Sequence, residues 1–177
     1  MVNFSHESGL DISRKPDFFE ILRREWGVYA PRDIEQFDTI LRNADAKRGN
    51  GIISLYVDNE PGFILRTLML EAESPEDIPS TFDELTGKGT WSTYRPTGQT
   101  RVLVDFANSI GVRGLGYAHD AFDYMMDLIR DTTNHLWTYS PITAASFHIR
   151  HGAKHTRLIN NARPDYSVPD VAIMSYK

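Results

Sequence analysis

The segment Arg113-Gly114-Leu115-Gly116-Tyr117-Ala118 has the residue types and spacing to hold an anion. It follows a β-rich run, Thr100 to Ala107, and leads into a stretch in which Leu115, Ala118, Phe122, Met125, Met126 and Ile129 recur at helical spacing. The start of a helix leaves amide N–H groups without intrahelical partners and carries the positive end of the helix dipole. Glycine at 114 and 116 removes β-carbons that would hold a diphosphate away from those amides. A second reading is open here: Gly111, Gly114 and Gly116 also suit a turn that needs their dihedrals and a helix that packs closely.

Three histidines follow, His148, His151 and His155, the first two on one face of a short helical stretch. Such spacing resembles a metal site, but Gly152 should end the helix between His151 and His155, so no metal is expected. Arg150, Lys154 and Arg157 form a basic run that could meet a phosphate, although a solvated face is the commoner meaning of such a run.

The frame that must position these groups is one globular domain over residues 1–177. With 41% hydrophobic residues the chain can bury a core, and its net charge of -5 provides no global field for nucleic acid or an anionic membrane surface. Any phosphate must therefore be held by a local device. The absence of cysteine removes disulfides, thiolate nucleophiles and thiolate-bound zinc. No export signal or membrane span is evident, so a cytoplasmic protein is expected.

Residues 1–16 read as a flexible tail or a poorly marked first strand. Asp17 is placed to cap a helix carrying Phe18, Ile21, Leu22 and Trp26, and Pro31 to open a second with Ile34, Phe37, Leu41 and Ala44 on one face. Ile52 to Val57 and Gly62 to Leu70 form a hairpin, and Glu73 to Gly98 is an excursion with a helical patch at Ile78, Phe82 and Leu85. After strand Thr100 to Ala107 a helix is predicted over Gly114 to Asp131, then strand His135 to Tyr139 and helix Ile142 to His151. Lys154 to Ile159 and Val171 to Tyr176 supply the last strands. This order predicts an α/β (α+β) fold: a mixed, mainly antiparallel central sheet with one parallel crossover and helices on both faces.

Arg113, Gly116 and Ala118 occupy the three defining places of the Arg/Gln-x-x-Gly-x-Gly/Ala signature of the GNAT acyltransferases, and the sequence resembles that superfamily from about Pro31 to Ala153. The run Thr143 to Ala153 is similar to the family's later helix, which packs beside the thioester end of coenzyme A. The chain departs from the pattern at Asn108, Ile110 and Pro141, where relatives commonly have Val, Pro and Asn.

The resemblance implies that acyl-coenzyme A, acetyl-CoA in the simplest case, is a co-substrate. Its diphosphate would be held by Arg113, Gly114, Leu115, Gly116, Tyr117 and Ala118, and its pantetheine arm by backbone at Asn108 and Ile110. It also implies direct attack of a primary amine, on a small molecule or a protein, on the thioester, with no enzyme-bound intermediate. Counting back from Gly152, His148 stands where many relatives carry a tyrosine general acid, and it would protonate the leaving thiolate near neutral pH. It is equally read as a packed side chain beside Phe147. Asp105 lies in the strand that often supplies the base, with a structural hydrogen bond as the alternative; Tyr94, Glu71 and Tyr139 stand in reserve. The implied function is N-acyl transfer, the rival a non-catalytic acyl-CoA-binding module; a homodimer is compatible with either.

Overall fold

The computed structural model describes residues 2–8, 14–26, 32–43, 51–85, 100–130, 133–164 and 167–176. Seven strands form one sheet: β1 (Phe4–Ser8), β2 (Gly51–Val57), β3 (Glu60–Leu70), β4 (Thr100–Asn108), β5 (His135–Pro141), β6 (Lys154–Ile159) and β7 (Val171–Ser175). Their spatial order is β1-β2-β3-β4-β5-β7-β6, and every neighbouring pair is antiparallel except β4 and β5. The helices are α1 (Lys15–Trp26), α2 (Ile34–Asn43), α3 (Phe82–Leu85), α4 (Ala118–Ile129) and α5 (Ala145–Arg150).

The predicted hairpin is present, closed by Asp58 and Asn59 at φ 51° and 71°. Two successive residues of positive φ make the turn whose twist matches that of paired strands. Residues 1–16 are not all tail, because Phe4–Ser8 pairs along its length with Val57–Ile53. Its sequence, Phe-Ser-His-Glu-Ser, is polar because it forms an exposed edge, where apolar residues would invite further pairing. Helix α1 starts two residues before Asp17, which sits in the first turn rather than at the cap. At the start of α2 the Asp33 carboxylate accepts the Gln36 amide hydrogen at 2.7 Å. The side chains of Trp26 and Leu41, and Pro31 and Ala44 altogether, lie outside the described residues.

Both faces of the sheet are covered. On one, α4 buries Ala121, Phe122, Met125, Met126 and Ile129 against Leu55, Phe63, Leu65, Leu103 and Leu136. On the other, Phe18, Ile21, Leu22 and Phe37 of α1 and α2 pack on Ile52, Tyr56 and Ile64, and α3 with Ile78 packs on Leu68, Val102 and Tyr139. Strand β3 is accordingly buried almost continuously from Gly62 to Met69, the pattern of a strand covered on both sides. Arg157, read from sequence as part of a basic run, donates to the carbonyls of Pro75 and Ile78 and to the Ser80 hydroxyl, tying β6 to the segment after β3. No helix among the described residues is long and apolar enough to cross a membrane.

The sheet is interrupted at one place. Opposite β3, Arg66 faces Asp105 and Thr67 faces Leu103, so Val104 is an extra residue in β4. A bulge of this kind bends its strand and sharpens the local twist. Just there the parallel pairing with β5 stops: Thr100–Leu103 pair with His135–Thr138, and both strands then run on unpaired with each other. The two strands part in a V.

Candidate active site

The V between the parted strands holds a cavity of about 360 Å³. Its floor is made by consecutive residues of both strands, Val104 to Phe106 and Thr138 to Pro141, and its walls include Phe122, Phe147, His148, Arg163 and Glu25. A strand whose partner has left offers unpaired backbone donors and acceptors along its edge, the arrangement that receives an extended amide-bearing chain. At the far end of that edge the Asn108 carbonyl accepts from the Arg24 guanidinium. The Asn108 Oδ1 and Ser109 Oγ atoms are inaccessible to solvent and have no hydrogen-bond partner.

Beyond β4 the chain makes a single 3-10 turn at Ile110–Val112, held by the Arg113 amide donating to the Ile110 carbonyl, and buries Val112 against the α4 core. Here the structure corrects the sequence reading: the helix begins at Ala118, not at Gly114. Gly114 and Gly116 have φ of 79° and 82°, outside the right-handed helical region, so the intervening residues form an open loop. A β-carbon on either glycine would meet nothing within 4 Å. Their identity is thus explained by backbone hand, and the space beside them is open. Alternation of hand between Gly116 and Tyr117, which is right-handed at φ -77°, turns successive amides to one side. No side chain caps α4, so its first amides keep their hydrogens unshared within the helix. Gly114, Leu115 and Gly116 are exposed, as is Ile110, at 71%. The loop predicted from sequence to grip a diphosphate therefore has the room, the uncapped amides and the backbone geometry for it.

Arg113 reaches the end of α1, where its Nη2 lies 3.2 Å from the Glu25 carboxylate. Glu25 also accepts from the neighbouring Arg24 at 2.6 Å, and it reaches the cavity wall. Sequence reasoning did not single out Glu25, because its partner is 88 residues away in the chain.

His148 and Asp105 both reach the cavity, from different elements. Asp105 follows the bulge and is buried in an ion pair with Arg66 directly across the ladder at 3.3 Å. Burial pushes its carboxyl above the usual carboxylate range, opposed by the charges of Arg66 and Arg163. Arg163 stacks its guanidinium on the Phe82 ring at 3.9 Å on the same wall. Of the reserve residues, Tyr139 lines the cavity, Glu71 is exposed at the end of β3, and Tyr94 lies outside the described residues.

His148 is buried among Phe122, Phe147 and Tyr176, and its Nδ1 lies 2.6 Å from the Tyr176 hydroxyl. Burial, reinforced by His151 nearby, pushes the ring down to about 4. The expectation that His148 carries a proton for the thiolate near neutral pH is thereby corrected: the imidazole is neutral there, because burial disfavours its protonated form. Burial also holds the Tyr176 hydroxyl above its ordinary value, so it remains protonated. Tyr176 closes the chain's last strand region and was not legible as a partner from its position. His151, its side chain packed against Phe122 and Phe147, meets Asp123 at 2.6 Å and His119 at 2.8 Å, and His155 lies on β6 beyond Gly152, which has φ 90°. Among the described residues no group of three or more histidine, aspartate or glutamate side chains is placed to hold a metal ion.

No protein-family model matches the sequence, and no curated protein matches it. Solved structures do match over nearly the whole chain. The loading GNATL domain of CurA from Lyngbya majuscula is 13% identical at a TM-score of 0.72, covering 100% of this chain and 98% of that one. The GphF GNAT-like decarboxylase, solved in complex with isobutyryl-CoA, is 14% identical at 0.68, covering 99% and 100%. The ribosomal-protein-S18-alanine N-acetyltransferase from Escherichia coli is 14% identical at 0.62, covering 99% and 92%. Identities this low speak for architecture alone, and at these TM-scores and coverages the architecture is plain: this chain has the GNAT fold.

Proposed function

We propose that the protein is an acyl-CoA-dependent acyltransferase that moves an acetyl or similar small acyl group to a primary amine. The observation that carries this reading is the parting of β4 from β5 at the Val104 bulge, which opens a cavity whose wall includes Glu25, the partner of Arg113. The coenzyme would supply an activated thioester. The loop amides and Arg113 would bind its diphosphate, and the edge of β4 between Val104 and Asn108, whose end carbonyls accept from Arg163 and Arg24, would run alongside its amide-bearing arm. That course leads the thioester toward Phe147 and His148. The acceptor would enter as its free amine, deprotonated by solvent, and the proton it sheds as the C–N bond forms would pass along the Tyr176 hydroxyl and the neutral His148 imidazole, 2.6 Å apart, to the thiolate released as the C–S bond breaks. The apolar walls supplied by Phe106, Phe122 and Phe147 would keep water from the thioester. Two of the neighbours are solved with a coenzyme A derivative or named as an N-acetyltransferase, which supports the same reading.

A second reading, decarboxylation of an acyl-CoA that carries a carboxylate, is favoured by the Arg163 guanidinium on the cavity wall and by the decarboxylase among the structural neighbours. One experiment separates the possibilities. Calorimetry with coenzyme A tests binding; free-thiol release is then followed with acetyl-CoA over an amine panel, and conversion of malonyl-CoA to acetyl-CoA is followed by chromatography. Amine-dependent thiol release supports acyl transfer, conversion without thiol release the second reading, and binding with neither a non-catalytic module. No binding of coenzyme A would overturn all three.

A further inference from the structure

Three side chains outside the cavity form a relay that ends at the start of α4. The Asp123 carboxylate lies 2.6 Å from Nδ1 of His151, and Nε2 of His151 lies 2.8 Å from Nδ1 of His119. A carboxylate only accepts, so His151 donates from Nδ1 and accepts at Nε2, and Nδ1 of His119 carries the hydrogen between the two rings. Nε2 of His119 is thus the open end of the relay, on an exposed residue, and no described residue bonds to it. His119 is the second residue of α4, and the Ala121 amide is already bonded to the Tyr117 carbonyl, so the uncapped amides before it include that of His119 itself. Side chains of a helix lean toward its N-terminus, here toward the Gly114–Gly116 loop. The His119 ring also stacks on Phe147, with centroids 5.0 Å apart, and Phe147 lines the cavity.

We propose that His119 binds the coenzyme's diphosphate through Nε2 as an imidazolium, held in place by His151 and Asp123, so that coenzyme binding takes up one proton from solvent. This rests on the placing of the diphosphate at the Gly114–Gly116 loop given above. The argument lies in the count of hydrogens. A neutral imidazole has one N–H, and that of His119 is committed at Nδ1 to His151. Neutral His119 would therefore turn a lone pair toward the phosphate oxygens. With a second proton, Nδ1 keeps its bond to His151 while Nε2 donates to a phosphate oxygen, a charge-assisted bond. An anion beside the ring favours that charged form. The charged and titratable groups around His119 are Asp120 and Asp123 on its own helix, His148, Arg150 and His151 on α5, and Arg113 on the loop; among the described residues only His151 bonds to it. Asp123 acts at one remove, as a positioning residue: it fixes which way both hydrogens of the relay point.

The test uses the whole chain and 3′-dephospho-coenzyme A, whose diphosphate does not titrate near neutral pH, whereas a phosphate monoester such as that of coenzyme A itself does so at about pH 6. Calorimetry in Hepes and in Tris, buffers of unlike protonation enthalpy, counts the protons taken up per ligand bound. At about pH 7.5 the wild type should take up about half a proton, and its affinity should fall about three- to tenfold between about pH 6.5 and about pH 8.5. In His119→Gln the uptake should vanish, and binding at about pH 6.5 should weaken about tenfold and become flat with pH. Asp123→Asn lets the relay reverse, the new amide donating to His151 and His151 to His119, so that neutral His119 can offer Nε2–H; uptake should drop while binding at about pH 8.5 is kept. A packing role for His119 alone would weaken binding equally at every pH and leave the uptake in place. Circular dichroism checks folding, and Asp123, with its side chain 59% exposed, gives a variant that spares the packed rings if His119→Gln unfolds. Wild-type binding without proton uptake, or uptake undiminished in either variant, overturns the proposal and leaves the acyl-CoA reading standing. Failure of the wild type to bind the ligand at all overturns that reading and this one with it.

Discussion

Acidification should destabilise this protein in part through one imidazole. His148 titrates at 6.5 when unfolded and is pushed down to about 4 by burial among aromatic rings and by His151. Between those values the unfolded chain binds a proton that the native state refuses, so stability falls as pH falls through the window from about 6.5 to about 4. At 1.36 kcal/mol per unit the full effect is about 3 kcal/mol, of which about 2 kcal/mol is lost between about pH 7.5 and pH 5. That is a large part of a margin of about 5–15 kcal/mol. Urea denaturation of the wild type and of His148→Phe, at steps across that interval, reads the term directly. The variant should be less stable at neutral pH, because the Tyr176 hydroxyl loses its partner at 2.6 Å, but its stability should decline less with acid. Carboxylates titrate in both proteins and cancel in the comparison. If the two stabilities fall in parallel, His148 is not a buried neutral imidazole, and its place in the proton relay with Tyr176 fails with it.

Three further substitutions test other parts of the site. Gly116→Glu should abolish coenzyme A binding in calorimetry, whereas Gly116→Ala, strained by about 1 kcal/mol at φ 82° but meeting nothing within 4 Å, should weaken it far less; equal effects would mean that backbone hand alone matters there. Arg66→Met should cost about 3–5 kcal/mol in denaturant unfolding by stranding the Asp105 carboxylate, and adding Asp105→Leu should restore much of the loss; a near-neutral single substitution would show Asp105 to be protonated already. Tyr176→Phe keeps the ring packing against Phe122 and should leave coenzyme affinity unchanged while lowering kcat about a hundredfold, read by thiol release.

Much of the frame was legible in the sequence because it is written in local patterns. The Asp58–Asn59 turn lies between two apolar β-rich runs, and the α4 stripe of Phe122, Met125, Met126 and Ile129 repeats with the helical period. The signature at Arg113, Gly116 and Ala118 located the loop, although its glycines proved to lie before the helix rather than in it: the apolar stripe through Leu115 hid the requirement for positive φ. Strand β1 was obscure because edge position, not burial, sets its composition. The Val104 bulge was unreadable, since register is decided by what lies across the ladder. Glu25 and Tyr176 were missed for a related reason. Each matters through a partner distant in sequence, Arg113 and His148 respectively, and no local spacing records such a meeting.

The V between β4 and β5 comes from backbone, from one surplus residue that throws two strands out of step. An opening produced this way survives the replacement of almost any side chain that borders it. The lining at Thr138, Ser140, Ala144 or Phe147 can therefore be repainted by substitution, altering which ligand is admitted, while the hollow itself persists. Such a scaffold can drift between substrates one residue at a time without passing through a form that has no site at all.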